Sequence, residues 1–494
     1  RIDPVSWCIW TSCLLGGYES PSGGLTHTVF ETFAMKAGSV TDSAGRPDAA
    51  PGAIPTSLLT WSQVLQSARA ATIVWQDISR TAMALVGLSY SLSARWLGRE
   101  DFTMNRMRII ALSILALGLL FSAGAARALD PNEELGRSIF FDKQLSLRTN
   151  QSCADCHDPK VGGTGSVAGI NRKGAVYAGS IRQKFGARKP PTIAYATPAP
   201  VLGYVIEDGE ALFEGGNFWD GRATGEKLGN PAADQAQGPF LNPVEQALPD
   251  PACVVYRVCN PANPGHYPVS FEVVWGAGAC DIDWTLNVNA TCAAGDMVDL
   301  APAERTKVDI AYDQIALSVE AFEASAEVNQ YSSKYDAYVA GQATLTAQES
   351  LGLSLFAGKG QCSACHVLDT QSDGQPALLT DYTYDNVGTP KNPDNPVYRD
   401  QPDFVDTGLG RFLETRPEYA GFAAANLGKH KVPTLRNVAL RPGKGNKKGG
   451  MRGAMMGGKR GAMKGGRKGG NKGLPKAYTH NGYFKTLAGI VNFY

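Results

Sequence analysis

Two copies of one five-residue motif constrain this chain more than anything else in it: Cys153-Ala154-Asp155-Cys156-His157 and Cys362-Ser363-Ala364-Cys365-His366. A Cys-x-x-Cys pair alone fits a thioredoxin-like redox centre or half of a zinc site. Neither of those needs a histidine directly after the second cysteine. Cys-x-x-Cys-His is the attachment motif of a c-type haem, in which the two thiols add to the vinyl groups and the histidine turns onto the iron. Matching phrases precede the two motifs, Leu135-Gly136-Arg137-Ser138-Ile139-Phe140 and Leu351-Gly352-Leu353-Ser354-Leu355-Phe356. Each opens an amphipathic helix. Asp130-Pro131 supplies a cap and a first-turn proline for one, and Thr346 with Glu349 a capping box for the other. The expectation is two covalently attached haem c groups, held by Cys153, Cys156, Cys362 and Cys365, with His157 and His366 as iron ligands.

The start of the chain carries an export signal. Residues 1–103 show no sustained periodicity and receive no assigned function. Met104-Asn105-Arg106-Met107-Arg108 is a short basic region, Ile109 to Phe121 an apolar run, and Ala126-Arg127-Ala128 a small-residue cleavage pattern. Together they read as a signal peptide over 104–128. The run falls short of the roughly 20 residues that a membrane span needs. The mature protein is therefore expected from Leu129, in the periplasm, and not integral to a membrane after cleavage. At the other end the chain stops at Tyr494 inside an amphipathic pattern of Leu487, Ile490 and Val491, which reads as a fragment lacking its last helix or two.

From Leu129 onward 366 residues remain, enough for two domains. The fold class is expected to be mainly α: two cytochrome c-type haem domains with long loops, at 129–330 and 331–494. A helix is expected over Asp309–Ala324, where Ile315, Val319 and Phe322 share a face. The formal charge of +1 hides a segregation. Residues 443–473 carry ten basic and no acidic residues, residues 1–128 a net +2, and the rest −11. The basic Gly/Lys stretch has too little apolar surface to offset the entropy of ordering it. It reads as a disordered surface insert, with docking of an acidic partner as the functional alternative. Cys253, Cys259, Cys280 and Cys292 cluster in an insertion near 250–295. In an oxidising compartment they read as two disulfides, and three pairings are open.

Longer phrases identify a relationship. Leu135-Gly136 through Ile139-Phe140-Phe141-Asp142, Phe218-Trp219-Asp220-Gly221-Arg222, Asn242-Pro243-Val244-Glu245, Val432-Pro433-Thr434-Leu435-Arg436-Asn437 and His480-Asn481-Gly482 join the two haem motifs in one order. In that order the chain resembles the bacterial dihaem cytochrome c peroxidases and, more closely, their MauG-like branch. The resemblance implies that the first haem is the peroxidatic one, with Glu245, Gln235 and Pro239 in its distal pocket and Trp219 between the haems. It implies Tyr494 as the second iron's other ligand, where ordinary dihaem peroxidases use Met. The only methionines after Leu129 are Met297 and four in the basic insert, and no His lies between His157 and His266 to block the first iron. One departure stands out. The family's inter-haem calcium uses an Asn side chain in an Arg-Asn-x-Pro phrase; here the phrase is Arg188-Lys189-Pro190-Pro191, with Lys189 in that place.

The resemblance implies an oxidoreductase acting on hydrogen peroxide. The main reading is a dihaem peroxidase fed, through the second haem, by a small periplasmic donor such as a cytochrome c or cupredoxin. A MauG-like oxidase modifying side chains of a protein substrate is the alternative, and a plain electron-transfer dihaem cytochrome is the second. Nucleic acid has no place among the expected partners.

Overall fold

The computed structural model describes residues 128–262, 267–440 and 474–494. The upstream segment, nearly all of the signal peptide, His266 and the basic insert lie outside the described residues. Residues 124–494 form one compact unit, mainly α-helical over the described residues. No helix among them is long and apolar enough to cross a membrane.

Helix α1, Pro131–Phe141, starts where its sequence says it should. Asp130 accepts from the backbone N–H of Asn132 and Glu133, and Glu133 reaches back to the N–H of Asp130. Three of the orphan donors of the first turn are thereby satisfied. The helix buries Leu135, Gly136, Ile139 and Phe140. Four further helices build the same core: α2, Pro231–Leu241; α3, Pro251–Cys259; α4, Pro268–Trp275; and, after the short α5, Val288–Ala294, the long α6, Pro302–Ala324. Phe140, Phe240, Val255, Phe271, Ile315 and Phe322 meet there.

Gly136 sets how closely α1 can cross α6. A Cβ at that position would lie 1.7 Å from the Ser318 carbonyl oxygen and 3.1 Å from Phe322 Cβ. Backbone cannot step aside as a side-chain tip can. Gly136→Ala is therefore expected to lower unfolding stability by about 1–3 kcal/mol or more, the usual penalty of overpacking. Equilibrium denaturation measures it, and an unchanged midpoint would show that the crossing can open freely.

Two expectations are refined. Helix α6 begins at Pro302 rather than Asp309. Pro302 sits in the first turn, where a missing N–H does no harm, and the polar turns after it hide the start from an apolar-periodicity reading. Arg305 on that extension forks onto Asp250, fully buried, whose carboxylate also caps α3 at Ala252 and accepts from Val298 N–H. The four insertion cysteines pair as Cys253–Cys292 and Cys259–Cys280. The first bond ties α3 to α5, and the second closes the smaller loop within it.

Strands are few. β1, Gly203–Glu207, and β2, Glu210–Glu214, form a hairpin through Asp208-Gly209, both at positive φ, as the right-handed twist of a two-residue turn demands. Its Phe213 packs into a second small core with Tyr384, Leu409 and Leu413. β3, Tyr384–Asp385, pairs with β4, His430–Lys431. Around residue 330 the chain is well tied. Asn329 accepts from the Tyr195 N–H and donates to the Glu323 carbonyl. Arg436, nearly buried, forks onto Asp336 with its plane near the rings of Tyr195 and Tyr331.

Helix α7, Ala347–Ala357, carries the predicted Thr346–Glu349 capping box. It repeats α1 in sequence but not in packing, for none of its residues is buried. A Cβ at Gly352 would meet nothing within 4 Å, where one at Gly136 would strike a helix. Gly352, Leu355 and Phe356 line a large cavity instead.

Candidate functional site

Each Cys-x-x-Cys-His motif folds into a single turn that swings its histidine back over the first cysteine. Ser152 and Asp155 cap the first turn, and the His157 N–H donates to the Cys153 carbonyl. In the second motif the His366 N–H donates to the Cys362 carbonyl in the same way. The four thiols are free, although both insertion pairs are oxidised. Burial pushes up the Cys153, Cys156 and Cys365 thiols. It raises the Cys156 thiol to about 12 and the Cys365 thiol to about 11, with the carboxylates of Glu245 and Asp385 respectively adding to the effect.

Both histidines are oriented by backbone. His157 Nδ1–H donates to the Pro191 carbonyl at 3.0 Å, with the Gly163 carbonyl at 3.2 Å. His366 Nδ1–H donates to the Leu379 carbonyl at 3.0 Å. A donor at Nδ1 fixes the tautomer and leaves the Nε2 lone pair for a metal. Burial lowers the pKa of both rings, that of His157 to about 4, which keeps them neutral at ordinary pH, the form a metal ligand needs. Free thiol pairs, neutral imidazoles with open Nε2 and a large cavity suit a haem in each motif.

One continuous cavity of about 1080 Å³ joins the two motifs, at or beyond the top of the roughly 300–1,000 Å³ range of ligand pockets. It brings together nearly every residue singled out from sequence: Cys153, Cys156, His157, Cys362, His366, Trp219, Gln235, Pro239, Glu245 and Tyr494 all line it. Cys365 does not; its thiol lies 3.6 Å from Asp385 Oδ2. Tyr494, 73% exposed overall, has its pKa raised by partial burial and by the nearby Cys365, Asp385 and Cys362.

Gln235 and Pro239 lie four apart on one face of α2. Pro239 has no N–H to return to the Gln235 carbonyl. Beyond the helix, the Glu245 N–H donates to the Asn242 carbonyl and the Ser180 N–H to the Glu245 carbonyl, which fixes the turn. Glu245 Oε2 is enclosed without a hydrogen-bond partner. Burial raises the pKa of this carboxyl, against the opposing pull of Arg222 and Asn242. Trp219, 8% exposed, donates its indole N–H to the Lys189 carbonyl at 2.9 Å, and its ring meets the edge of His480. Gly221, at φ +74°, completes the turn: a Cβ there would lie 2.4 Å from the Tyr384 hydroxyl.

Several charged pairings at the site were not visible in the sequence. Arg188 bonds Asp220 at 2.5 Å and forks onto Asp406 at 2.6 and 2.7 Å. Both carboxylates are held below their usual range by it, against burial. His430 reaches Asp406 at 3.3 Å and stacks on His480 with centroids 3.7 Å apart and planes 6° from parallel. Asp406, His430 and His480 thus offer three ligand atoms within 4.8 Å, but parallel rings cannot both aim an in-plane lone pair at one ion. Arg188 already holds both oxygens of Asp406. Glu323, nearly buried, lines the cavity, and burial holds its carboxyl well above the normal range. Lys431, also on the cavity wall, donates to the Gly216 carbonyl and to Asn217.

Calcium does not fit the place that the resemblance gives it. Calcium takes six to eight oxygens at about 2.3–2.6 Å. Here the Lys189 ammonium has the oxygens: it donates to Thr164 Oγ1 at 3.0 Å and to the Pro190 carbonyl at 2.9 Å. Lys476 adds a second positive charge nearby.

The comparisons with known proteins agree with these features. The family model for di-haem cytochrome c peroxidase matches residues 130–344. The methylamine utilization protein MauG of Paracoccus denitrificans (strain Pd 1222) is 33% identical over 345 residues, 68% of this chain and 76% of that protein. A cytochrome c551 peroxidase of Pseudomonas aeruginosa is 28% identical over 312 residues, 63% of this chain and 66% of its own. Among solved structures, the diheme peroxidase BthA of Burkholderia thailandensis E264 superposes with a TM-score of 0.54 at 26% identity, covering 75% of this chain and 73% of that one.

Proposed function

This chain belongs to the family of di-haem cytochrome c peroxidases and MauG and is an oxidoreductase acting on peroxide, and we propose how its own residues divide that work. The observation that carries the proposal is the single cavity lined by His157, Trp219, Glu245 and His366 together. The two haem groups, when bound, supply the redox chemistry. Cys153 with Cys156, and Cys362 with Cys365, are the covalent attachment points, and His157 and His366 the iron ligands, in two haem domains meeting near residue 330. Tyr494, on the wall of the same cavity, would be the further residue holding the second iron. The sequence pattern over 104–128, which reads as an export signal, supports a periplasmic mature protein.

Glu245 is the proton-moving group. Peroxide cleavage needs a proton carried from one oxygen to the other, and a carboxylate with an unpartnered oxygen is suited to it. Gln235 and Pro239 shape the same pocket and limit water there. Trp219, on the wall of the cavity that both attachment sites share and fixed by its indole hydrogen bond, carries electrons across.

The electron source is a small reduced protein, cytochrome c or cupredoxin, or the side chains of a protein substrate as in the MauG alternative. Tyr494 in the ligand role and the 33% identity to MauG favour weighing that second reading. The test is a steady-state assay of the haem-loaded protein with peroxide and reduced cytochrome c. Turnover of about 1 s⁻¹ or more, within the usual enzyme range, is expected for the donor-fed peroxidase. Negligible turnover, with peroxide-dependent change in a co-purifying protein, would replace it with the protein-modifying reading. Absence of both would remove both readings.

A further inference from the structure

Residues 189–191 form the junction between the two halves of the site, and every carbonyl along them is used. The Lys189 carbonyl accepts the Trp219 indole N–H at 2.9 Å. The Pro190 carbonyl accepts from Thr164 Oγ1 at 2.9 Å and from the Lys189 ammonium at 2.9 Å. The Pro191 carbonyl accepts from His157 Nδ1–H at 3.0 Å. The Lys189 N–H in turn donates to the His480 carbonyl at 2.7 Å. Three consecutive residues thus set the tautomer of His157, fix Trp219 and hold the His480 loop.

Carbonyl and hydroxyl oxygens converging on one point call for a cation, and two prolines in the run leave few N–H groups to answer them. Here the cation is part of the chain. We propose that the Lys189 ammonium is the resident cation of this junction, and that the protein keeps Trp219 and His157 in register with no divalent metal ion there.

Three observations support it. The ammonium, standing where the family's phrase has its Asn, takes the Thr164 hydroxyl and Pro190 carbonyl oxygens for itself. Lys189 lines the cavity at that same place, so an ion on those oxygens would first have to displace it. Lys476, whose ammonium bonds the Asn437 carbonyl at 2.7 Å, stands close enough to oppose any further positive charge. Burial, then that repulsion, lowers the Lys189 pKa to about 7, so the junction holds its full charge only below that pH.

The haem-loaded protein, stripped with EGTA, tests this by calorimetric titration with calcium chloride. No saturable heat is expected below about 1 mM, the weak end of extracellular calcium sites, and neither melting midpoint nor visible spectrum should respond to chelator. Lys189→Met keeps the stem and removes the charge, leaving the Pro190 and Thr164 oxygens without their ammonium. Its midpoint should fall by about 2–4 °C, as for loss of charged hydrogen bonds in a protein of this size, with a change in the His157 centre's spectrum. Lys189→Arg should retain more of the midpoint than Lys189→Met. Stoichiometric calcium binding by the unmutated protein would overturn the proposal, as would a Lys189→Met variant with unchanged midpoint and spectrum. The calorimetry reads ion binding whether or not the protein turns over peroxide, so failure here and failure of the peroxide reading are separate results.

Discussion

Glu245→Gln is expected to slow single-turnover peroxide consumption by about 10²–10⁴-fold, the usual worth of positioned acid–base assistance, while haem content and the peroxide-free spectrum stay as they are. Glutamine keeps the shape and loses the proton traffic. The pH profile supplies a second signature. Burial raises the Glu245 pKa, so its carboxyl holds a proton at higher pH than an exposed glutamate does. Acting as the acceptor, it must be ionised, and the rate in the unmutated protein should fall as pH drops through that raised value. In Glu245→Gln this acid limb should vanish. A rate change below roughly threefold would assign Glu245 to structure instead, since acid–base roles are rarely so small.

Replacing Cys153 and Cys156 together by alanine should halve the covalent haem. Mass spectrometry of the exported protein, made in a host that matures c-type cytochromes, should show two haem additions in the unmutated chain and one in the variant. The surroundings explain why no other described residues can take over. Both thiols line the cavity, and the remaining free cysteines among the described residues belong to the second motif. The insertion cysteines are bonded to each other. A single addition in the unmutated protein would end the two-haem attachment scheme.

The features legible before folding were local. The caps at Asp130 and Thr346 and the turn that carries each histidine depend on neighbours a few residues apart, and the existence of disulfides followed from an even set of clustered cysteines. The illegible ones depend on distant partners. Arg188 meets Asp406 across more than two hundred residues, and nothing in either stretch announces the other. The pairing Cys253–Cys292 with Cys259–Cys280 rests on how α3 and α5 lie, which spacing leaves open. The likeness of α1 and α7 was legible, but their different surroundings were not: one crosses α6 at Gly136, and the other faces the cavity. Resemblance supplied Glu245, Gln235 and Trp219, residues whose types alone would read as ordinary core or turn positions. His430, beside the Val432–Asn437 phrase, carried a signal that could have been used, since a histidine next to a recognised phrase invites a search for its partner.

The partner of the Trp219 indole has a kinetic meaning. Its N–H points to an amide carbonyl, the Lys189 oxygen, which is far too weak a base to keep a proton. In the relay role proposed for it, Trp219 gives up an electron with its hydrogen still in place. Transfer and protonation are then uncoupled at this residue. Its passage of charge should run at the same speed in heavy water as in light, and any solvent isotope effect on turnover would arise elsewhere in the cycle.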